Sequence, residues 1–502
     1  MQASHQAPHQ ALHQAPYDLL IEGGTVIDGT KAPRFDADVG LRGGRIVAVG
    51  QLQGHAAQRR MSARGKIVAP GFIDAHTHDD LALLTRPGMD FKVSQGVTTV
   101  VTGNCGISPA PLLADTPTPP PISLAVAGNQ HRFGSFAAYL QALRDAPAAV
   151  NVAALVGHTT LRARTMAQLN RAANEAEVQA MRAHVQEALD AGAFGISTGT
   201  FYPPAAAAST EEIIEVCRPL SGSGGVYATH MRDEQDAVLQ SLQETFRIGR
   251  ELDVAVVVSH HKVTGQHNWG RSTETLAAIS QAMRCQCVAL DMYPYTAGST
   301  MLFNDGERLK SRVLIAHSEP HPEMAGRDLD EIAAEWGCDK LQAVARLQPA
   351  SAIYFMMHED DVRNILAFEH SMVGSDGIAG GDRPHPRLWG TFPRVLGHYS
   401  RQLNLFPLET AVWKMTGLTA SNFGLSERGT VAEGQAADLV VFDPETVIDT
   451  ATYEHPTRAA LGIDCVLVAG VPVWTEGRAT GARPGRVLTR AQRARPGLKA
   501  SA

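Results

Sequence analysis

Short apolar runs separated by glycine turns fill residues 17–69: "DLLIEGGTVIDG", "DVGLRGGRIVAVG" and "KIVAP". Alternation of this kind predicts a small sheet domain. Matching runs return near the other end, in "ADLVVFDP" at 437–444 and "GIDCVLVAGVPVW" at 462–474. Segments 17–69 and 425–480 are therefore expected to pair into one β-sandwich, with everything between them inserted.

Within the insert, residues 70–424, strand-like apolar runs alternate with amphipathic helical stretches such as "EAEVQAMRAHVQEALDAG". That is the pattern of a β/α architecture with a parallel sheet. Eight such runs follow in order: "GFIDAHTH", "VTTVVTGNCG", "NVAALVGHTT", "AFGISTGT", "GGVYATHMRDE", "VAVVVSHHK", "CVALDMYPY" and "SMVGSDG". Eight strands predict a TIM (β/α)8 barrel. The connection from Thr296 to His370 is too long for a single helix, and a lid insertion at about 300–350 is expected over the active face. The Pro-rich stretch "PAPLLADTPTPPPISLAV", 109–126, reads as an extended excursion near the same mouth.

Composition narrows the class. A chain of 502 residues with 44% hydrophobic content buries a large core in two or three domains. Lys and Arg number 44 against 51 Asp and Glu, a net charge of −7, which argues against nucleic acid or an anionic membrane as the main partner. No run approaches the roughly 18 to 20 apolar residues of a spanning helix. The opening "MQASHQAPHQALHQAP" repeats a polar unit without a hydrophobic core, so 1–16 reads as a disordered tail, with His5, His9 and His13 idle in it. A C-terminal tail, 481–502, is basic towards its end and carries no evident function. The six cysteines do not form a disulfide framework, since Cys285 and Cys287 are too close to pair; a reducing cytoplasm follows. Oligomeric state stays open.

Barrel enzymes carry their chemistry at the C-terminal ends of the strands. Here strand 1 ends in His76 and His78, strand 2 in Cys105, strand 5 in His230, strand 6 in His260 and strand 8 in Asp376. His76 and His78 are two residues apart and share one face of a strand. A histidine pair alone is usually a solvated turn, but agreement across five strand ends is not. Imidazole and thiolate suit Zn²⁺, which in a catalytic site keeps a position open and makes water acidic near neutral pH. A carboxylate beside such a site, Asp376, is of the type that moves a proton from water to a leaving group.

These residues lie in "GFIDAHTHDD", "TGNCGISPAP", "THMRDE", "SHHKVTG" and "VGSDG", and with "GISTGTFYPP", "DMYPYTAGST" and "HPRLWGTFPRVLG" they make the chain resemble the N-acyl-D-amino-acid deacylases, or D-aminoacylases, of the amidohydrolase superfamily. The resemblance spans nearly all of 17–480. It implies that Cys105, His230 and His260 hold one tight zinc, and that His76 and His78, with Cys105 and Asp376, form a weaker second site. Strand 4 lacks the metal-bridging lysine of many two-metal amidohydrolases, and Cys105 is the substitute. The resemblance further implies that Lys262, Tyr293, Ser299 and Arg387 hold a substrate α-carboxylate. Tyr202 reads either as an oxyanion donor or as a packing aromatic. His158 is expected to be structural, and His261 to face away from the metal.

The implied function is zinc-dependent hydrolysis of small-molecule N-acyl-D-amino acids to a carboxylic acid and a free D-amino acid, with Asp376 as proton carrier. Because "TMLFNDGERLK" after Ser299 begins apolar, with Arg308 and Lys310 only further along, hydrophobic D-residues are expected to be favoured. Two alternatives stand beside it: a related amidohydrolase cleaving a cyclic amide or a dipeptide with a C-terminal D-residue, and a non-catalytic, amidohydrolase-like structural protein.

Overall fold

The computed structural model describes residues 16–126 and 131–490. The expected N-terminal tail, with His5, His9 and His13, lies outside the described residues apart from residue 16, as does the C-terminal tail beyond residue 490.

The eight inner strands are short and buried on both faces, so they read as continuous apolar runs rather than alternating ones, as parallel strands covered by helices do. The first strand, Phe72–Asp74, pairs in parallel with Val97–Thr102, and that strand with Asn151–Ala154. The third strand continues as Val156–Gly157 and pairs onward with Gly195–Gly199, Val226–His230, Ala255–Val258, Val288–Met292 and Ser371–Val373. The ring then closes. The Ala75 N–H donates to the Val373 carbonyl at 3.2 Å, and Thr77 and His78 pair in parallel with Gly377 and Ile378.

Local signals set the helix ends. Glu175–Ala191 starts at Asn174, whose side chain and that of Glu177 cap each other's backbone N–H groups, and stops at Gly192 with φ 111°. Its buried Met181, Val185, Ala188 and Leu189 form the stripe laid against the barrel.

The two chain ends meet in one sheet. Ile67–Pro70 pairs antiparallel with Leu439–Phe442, which joins the N-terminal strands to Ile463–Val468 and Val471–Thr475 in a nine-stranded sheet. A core separate from the barrel's lies on this sheet, with Ile21, Val39, Val68, Leu439 and Leu467 all buried.

The long connection after strand 7 is a folded subdomain. Ala297–Met301, Ala350–Phe355 and Arg312–Ser318 make a three-stranded antiparallel sheet in that order. Helices Leu329–Glu335 and Lys340–Leu347 pack on it around Ile315, Leu329, Ile332 and Leu347. Its first strand begins directly at the barrel mouth.

The expected free tail from 481 differs in its first part. Val152 N–H donates to the Arg486 carbonyl and Leu488 N–H to the Val152 carbonyl, at 2.9 and 2.8 Å. The fourth barrel strand starts only at Gly195, and Phe194 N–H reaches back no further than Ala154. Backbone groups of Val152 left over below that point are paired by the tail.

Candidate metal centre and active site

Six side chains of ligand type converge at the mouth. Cys105 Sγ lies 3.3 Å from both His76 Nε2 and His260 Nε2. Asp376 Oδ1 lies 3.2 Å from His78 Nε2 and 3.6 Å from His76 Nε2. Ligand atoms of Cys105, His230 and His260 fall within 4.8 Å of one another, as do those of His76, His78 and Cys105 and those of His76, His260 and Asp376. All six residues are buried.

The backbone is bent to achieve this. Cys105, His260 and Asp376 have φ of 54°, 36° and 48°, a region that costs a side-chain-bearing residue energy and that clusters at functional sites. Cys105 is flanked by Gly103 and Gly106, also at positive φ; a Cβ on Gly103 would sit 1.9 Å from the Leu155 carbonyl oxygen.

The residues present fit a metal ion. Both ring nitrogens of His230 are buried without a hydrogen-bond partner, a costly state that coordination relieves. Burial opposes ionisation of Cys105, but the imidazoles of His76, His260 and His78 hold its thiol well below the ordinary range, favouring the thiolate that binds metal. The mixed sulfur, nitrogen and oxygen donor set suits zinc.

Two carboxylates brace these candidate ligands, and neither was assigned a role from the sequence. Glu234 Oε1 lies 3.1 Å from His260 Nδ1 and 2.8 Å from Lys262 Nζ, and Oε2 lies 3.7 Å from His230 Nε2. Burial works against its charge, yet Lys262, His230 and His260 hold its pKa below the usual carboxylate range. Asp291 Oδ1 accepts the His260 backbone N–H at 2.9 Å and lies 3.5 Å from His76 Nδ1. Such partners fix the orientation of ligand imidazoles. An acid four residues past His230 in "THMRDE" was the available signal for Glu234; Asp291 has no local signal, because its partners come from two other strands.

The four residues expected to hold a carboxylate lie together beside the ligands. Lys262 Nζ is 5.7 Å and the Arg387 guanidinium 4.5 Å from the centre of the Tyr293 ring. The Tyr293 hydroxyl is buried without a hydrogen-bond partner. Arg387 Nη2 donates to the Ser299 carbonyl at 3.2 Å, so Ser299 meets the cluster through its backbone. Lys262 lies on His260 as its register requires, with Nζ 2.7 Å from His260 Nδ1. His261 faces the other way, onto Thr275 Oγ1 at 2.9 Å. His158 Nε2 sits 3.4 Å from Glu212, away from the ligands. Tyr202 packs its ring 5.0 Å from His230, and its hydroxyl meets Thr300 Oγ1 at 3.2 Å.

Comparison with known proteins gives the family. The Amidohydrolase family model matches residues 60–285 and 311–474. A D-aminoacylase from Alcaligenes xylosoxydans xylosoxydans is 62% identical over 95% of this chain and 98% of its own. An N-acyl-D-aspartate deacylase from the same organism is 54% identical over 94% of this chain and 95% of its own. The chain belongs to the D-aminoacylase family of amidohydrolases. The crystal structure of N-acyl-D-glutamate deacylase from Bordetella bronchiseptica, complexed with zinc and a phosphonate inhibitor, superposes with a TM-score of 0.91 at 47% identity, covering 95% of this chain and all of that one.

For a D-aminoacylase-family barrel without a strand-4 lysine, the fourth strand shows how the cysteine loop fits instead. Ser197 Oγ accepts the Gly106 N–H at 2.8 Å, and a Cβ on Gly199 would lie 2.1 Å from the Cys105 carbonyl oxygen. Small residues on strand 4 leave the space that the Cys105 turn fills. Among the described residues no helix is long and apolar enough to cross a membrane.

Proposed function

We propose that this enzyme hydrolyses the amide of N-acyl-D-amino acids, releasing a carboxylic acid and the free D-amino acid, with zinc as its metal. Cys105, His230 and His260 would hold one tightly bound ion, and His76, His78, Cys105 and Asp376 a weaker second one. Bound there, the metal supplies Lewis acidity to the scissile carbonyl and acidity to water.

The observation that carries the reading is Tyr293, flanked by Lys262 and Arg387 with its hydroxyl unpartnered, directly beside the ligand cluster. Two cations and a neutral donor on one side of a hydrolytic centre suit a free α-carboxylate, and the Ser299 carbonyl aims the Arg387 fork. Asp376 is the proton carrier. Burial would raise its pKa, but Arg387 and His260 hold it well below the carboxylate range, so it stays ionised and ready to take a proton. It accepts one from the attacking water as the carbon–oxygen bond forms, then returns it to the amine nitrogen as the carbon–nitrogen bond breaks. Burial and the nearby Cys105 push the Tyr202 hydroxyl well above its ordinary pKa, which keeps its proton for donation to the carbonyl oxygen as charge develops.

Stereoselectivity follows from the clamp. With the α-carboxylate held on Lys262, Tyr293 and Arg387 and the carbonyl directed at the ligand cluster, one configuration at Cα sends the side chain into open space. That space has apolar walls in Phe201, Phe303 and Met356, which favour hydrophobic D-residues. The nine-stranded sheet would fold around its own core as the small β-sandwich beside the barrel, and six free cysteines accord with a reducing cytoplasm.

The test is turnover of N-acetyl-D-methionine and N-acetyl-D-glutamate, each against its L-enantiomer, by zinc-loaded wild type and Cys105→Ala, with bound zinc measured in both. D-selective turnover that disappears with the metal in Cys105→Ala is expected. Equal turnover of L-substrates, or a wild type inert on all four, would overturn the reading.

A further inference from the structure

The turn after the fourth barrel strand carries Tyr202, and its sequence, "YPPAAAAS", holds almost nothing that could anchor it. Tyr202 caps a helix of only four residues, Pro203–Ala206. So short a helix leaves its last carbonyls without partners inside it. Alanine side chains make no hydrogen bonds, and the Ser209 hydroxyl is taken up by the Glu212 N–H of the next helix. The turn therefore depends on groups from other elements to stay in one place.

Two arginines supply them. Arg162, fully buried on the helix His158–Thr165, donates from Nε to the Pro204 carbonyl at 3.0 Å. Arg232, two residues past His230, donates from Nη1 to the Ala206 carbonyl at 2.8 Å and from Nη2 to the Ala208 carbonyl at 2.9 Å. The Arg232 fork is itself fixed, because Glu244 on the helix Val238–Leu252 accepts from Nε at 3.0 Å and from Nη2 at 2.8 Å. A planar guanidinium held along one edge by a carboxylate presents its remaining N–H groups in a set direction. Arg232 thus ties the strand end that offers His230 to the turn that offers Tyr202, whose ring lies 5.0 Å from that imidazole. The Tyr202 hydroxyl also meets Thr300 Oγ1 at 3.2 Å, a contact that leaves the backbone carrying the ring unfixed.

We propose that Arg232 is a positioning residue for the Tyr202 hydroxyl: it holds the 203–208 turn at a fixed distance from His230, so that the hydroxyl is in place for the charge that develops on the substrate's carbonyl oxygen. The inference rests on the deacylase reading above and on Tyr202 as the oxyanion donor within it. A donor favours the transition state most when its place is set before the charge appears, and a turn of alanines cannot set it alone. Arg232 acts through the turn and touches no substrate atom.

The test measures kcat and KM for N-acetyl-D-methionine in zinc-loaded wild type, Arg232→Met, Arg232→Lys, Tyr202→Phe and Arg232→Met combined with Tyr202→Phe. Bound zinc and the Ki of the tetrahedral phosphonate analogue of the same substrate are measured in each. In Arg232→Met kcat should fall about 10- to 100-fold, the range for a misplaced catalytic group, while KM stays within about twofold. The phosphonate Ki should rise by about the factor that kcat loses, because a transition-state mimic feels a donor that the ground state does not. Arg232→Lys reaches one carbonyl instead of two and should fall in between; it carries the test alone if Arg232→Met does not fold. The combined variant should be no slower than Tyr202→Phe, since nothing is left to position. A wild-type kcat in either folded Arg232 variant, or a loss that multiplies with that of Tyr202→Phe, overturns the proposal. So does loss of zinc from Arg232→Met, which would put its effect on His230. Tyr202→Phe at the wild-type rate would overturn the Tyr202 role and this proposal with it but leave the deacylase reading standing; a wild type inert on N-acetyl-D-methionine would overturn all three.

Discussion

Arg387 Nη1 lies 2.9 Å from Asp376 Oδ2, both side chains buried, in a contact that is a close ion pair without the alignment of a hydrogen bond. The residue expected to clamp the substrate carboxylate thus also sets the charge state of Asp376, the proposed proton carrier. Arg387 is the largest of the influences that hold the Asp376 pKa down against the opposing effect of burial.

Replacing it should therefore change more than binding. In Arg387→Met the Asp376 pKa rises, and since the base works only when ionised, the acid limb of the kcat/KM profile moves to higher pH. A loss of at least about 100-fold in kcat/KM is expected from the missing charged contacts. A pH profile of metal-loaded enzyme checks it; a uniform loss at every pH would show that Arg387 serves binding alone.

Glu234 braces His260 and Lys262 with one oxygen. Glu234→Gln keeps the shape and removes the charge that orients the imidazole. Zinc affinity should weaken by about 10- to 100-fold, read by competition with a chromophoric chelator. Unchanged affinity would reduce Glu234 to a partner for Lys262.

Gly103 is required twice over, by a φ of +76° and by the Leu155 carbonyl 1.9 Å from any Cβ. Gly65, at φ +72° with nothing within 4 Å, separates the two effects. Gly65→Ala should lose about 1 kcal/mol from conformation alone. Gly103→Ala should lose clearly more and disturb zinc binding, because the Cys105 turn must shift. Denaturant midpoints and zinc content measure both.

Glu212 meets Arg162 and His158 in the barrel wall, and its second oxygen accepts the Ala173 N–H at 2.7 Å. Burial opposes its charge, but His158 and Arg162 hold its pKa at about 2, against 4.5 when free. A carboxylate depressed in the folded state contributes stability above the unfolded value and loses it as pH falls through the folded one. Glu212→Gln should thus cost about 2 kcal/mol at pH 7, and the gap to wild type should narrow below about pH 4.5. Urea midpoints across pH 3 to 7 decide; a gap independent of pH would mean that shape, not charge, is what Glu212 supplies.

The sequence by itself determined which side chains of ligand type meet at the barrel mouth. His76, His78, Cys105, His230, His260 and Asp376 were legible because strand alternation and barrel topology force strand-end residues towards one mouth. Pairing of the two chain ends was legible for the same reason: an amphipathic strand needs a partner, and the runs at 437–444 and 462–474 were left over from the barrel. Tertiary structure alone decided the contacts between groups distant in sequence. Asp291 reaches His76 and His260 from a third strand, and Arg387 folds back 11 residues beyond Asp376 to meet it. Arg308, which by position on its loop belongs to a distant polar stretch, is returned to Phe201 by the fold of the inserted subdomain. Linear spacing reports the register of a side chain within its own element. Which elements then share a cavity, and which charges answer one another inside it, depends on how the loops close, and those are the segments whose direction no local period encodes.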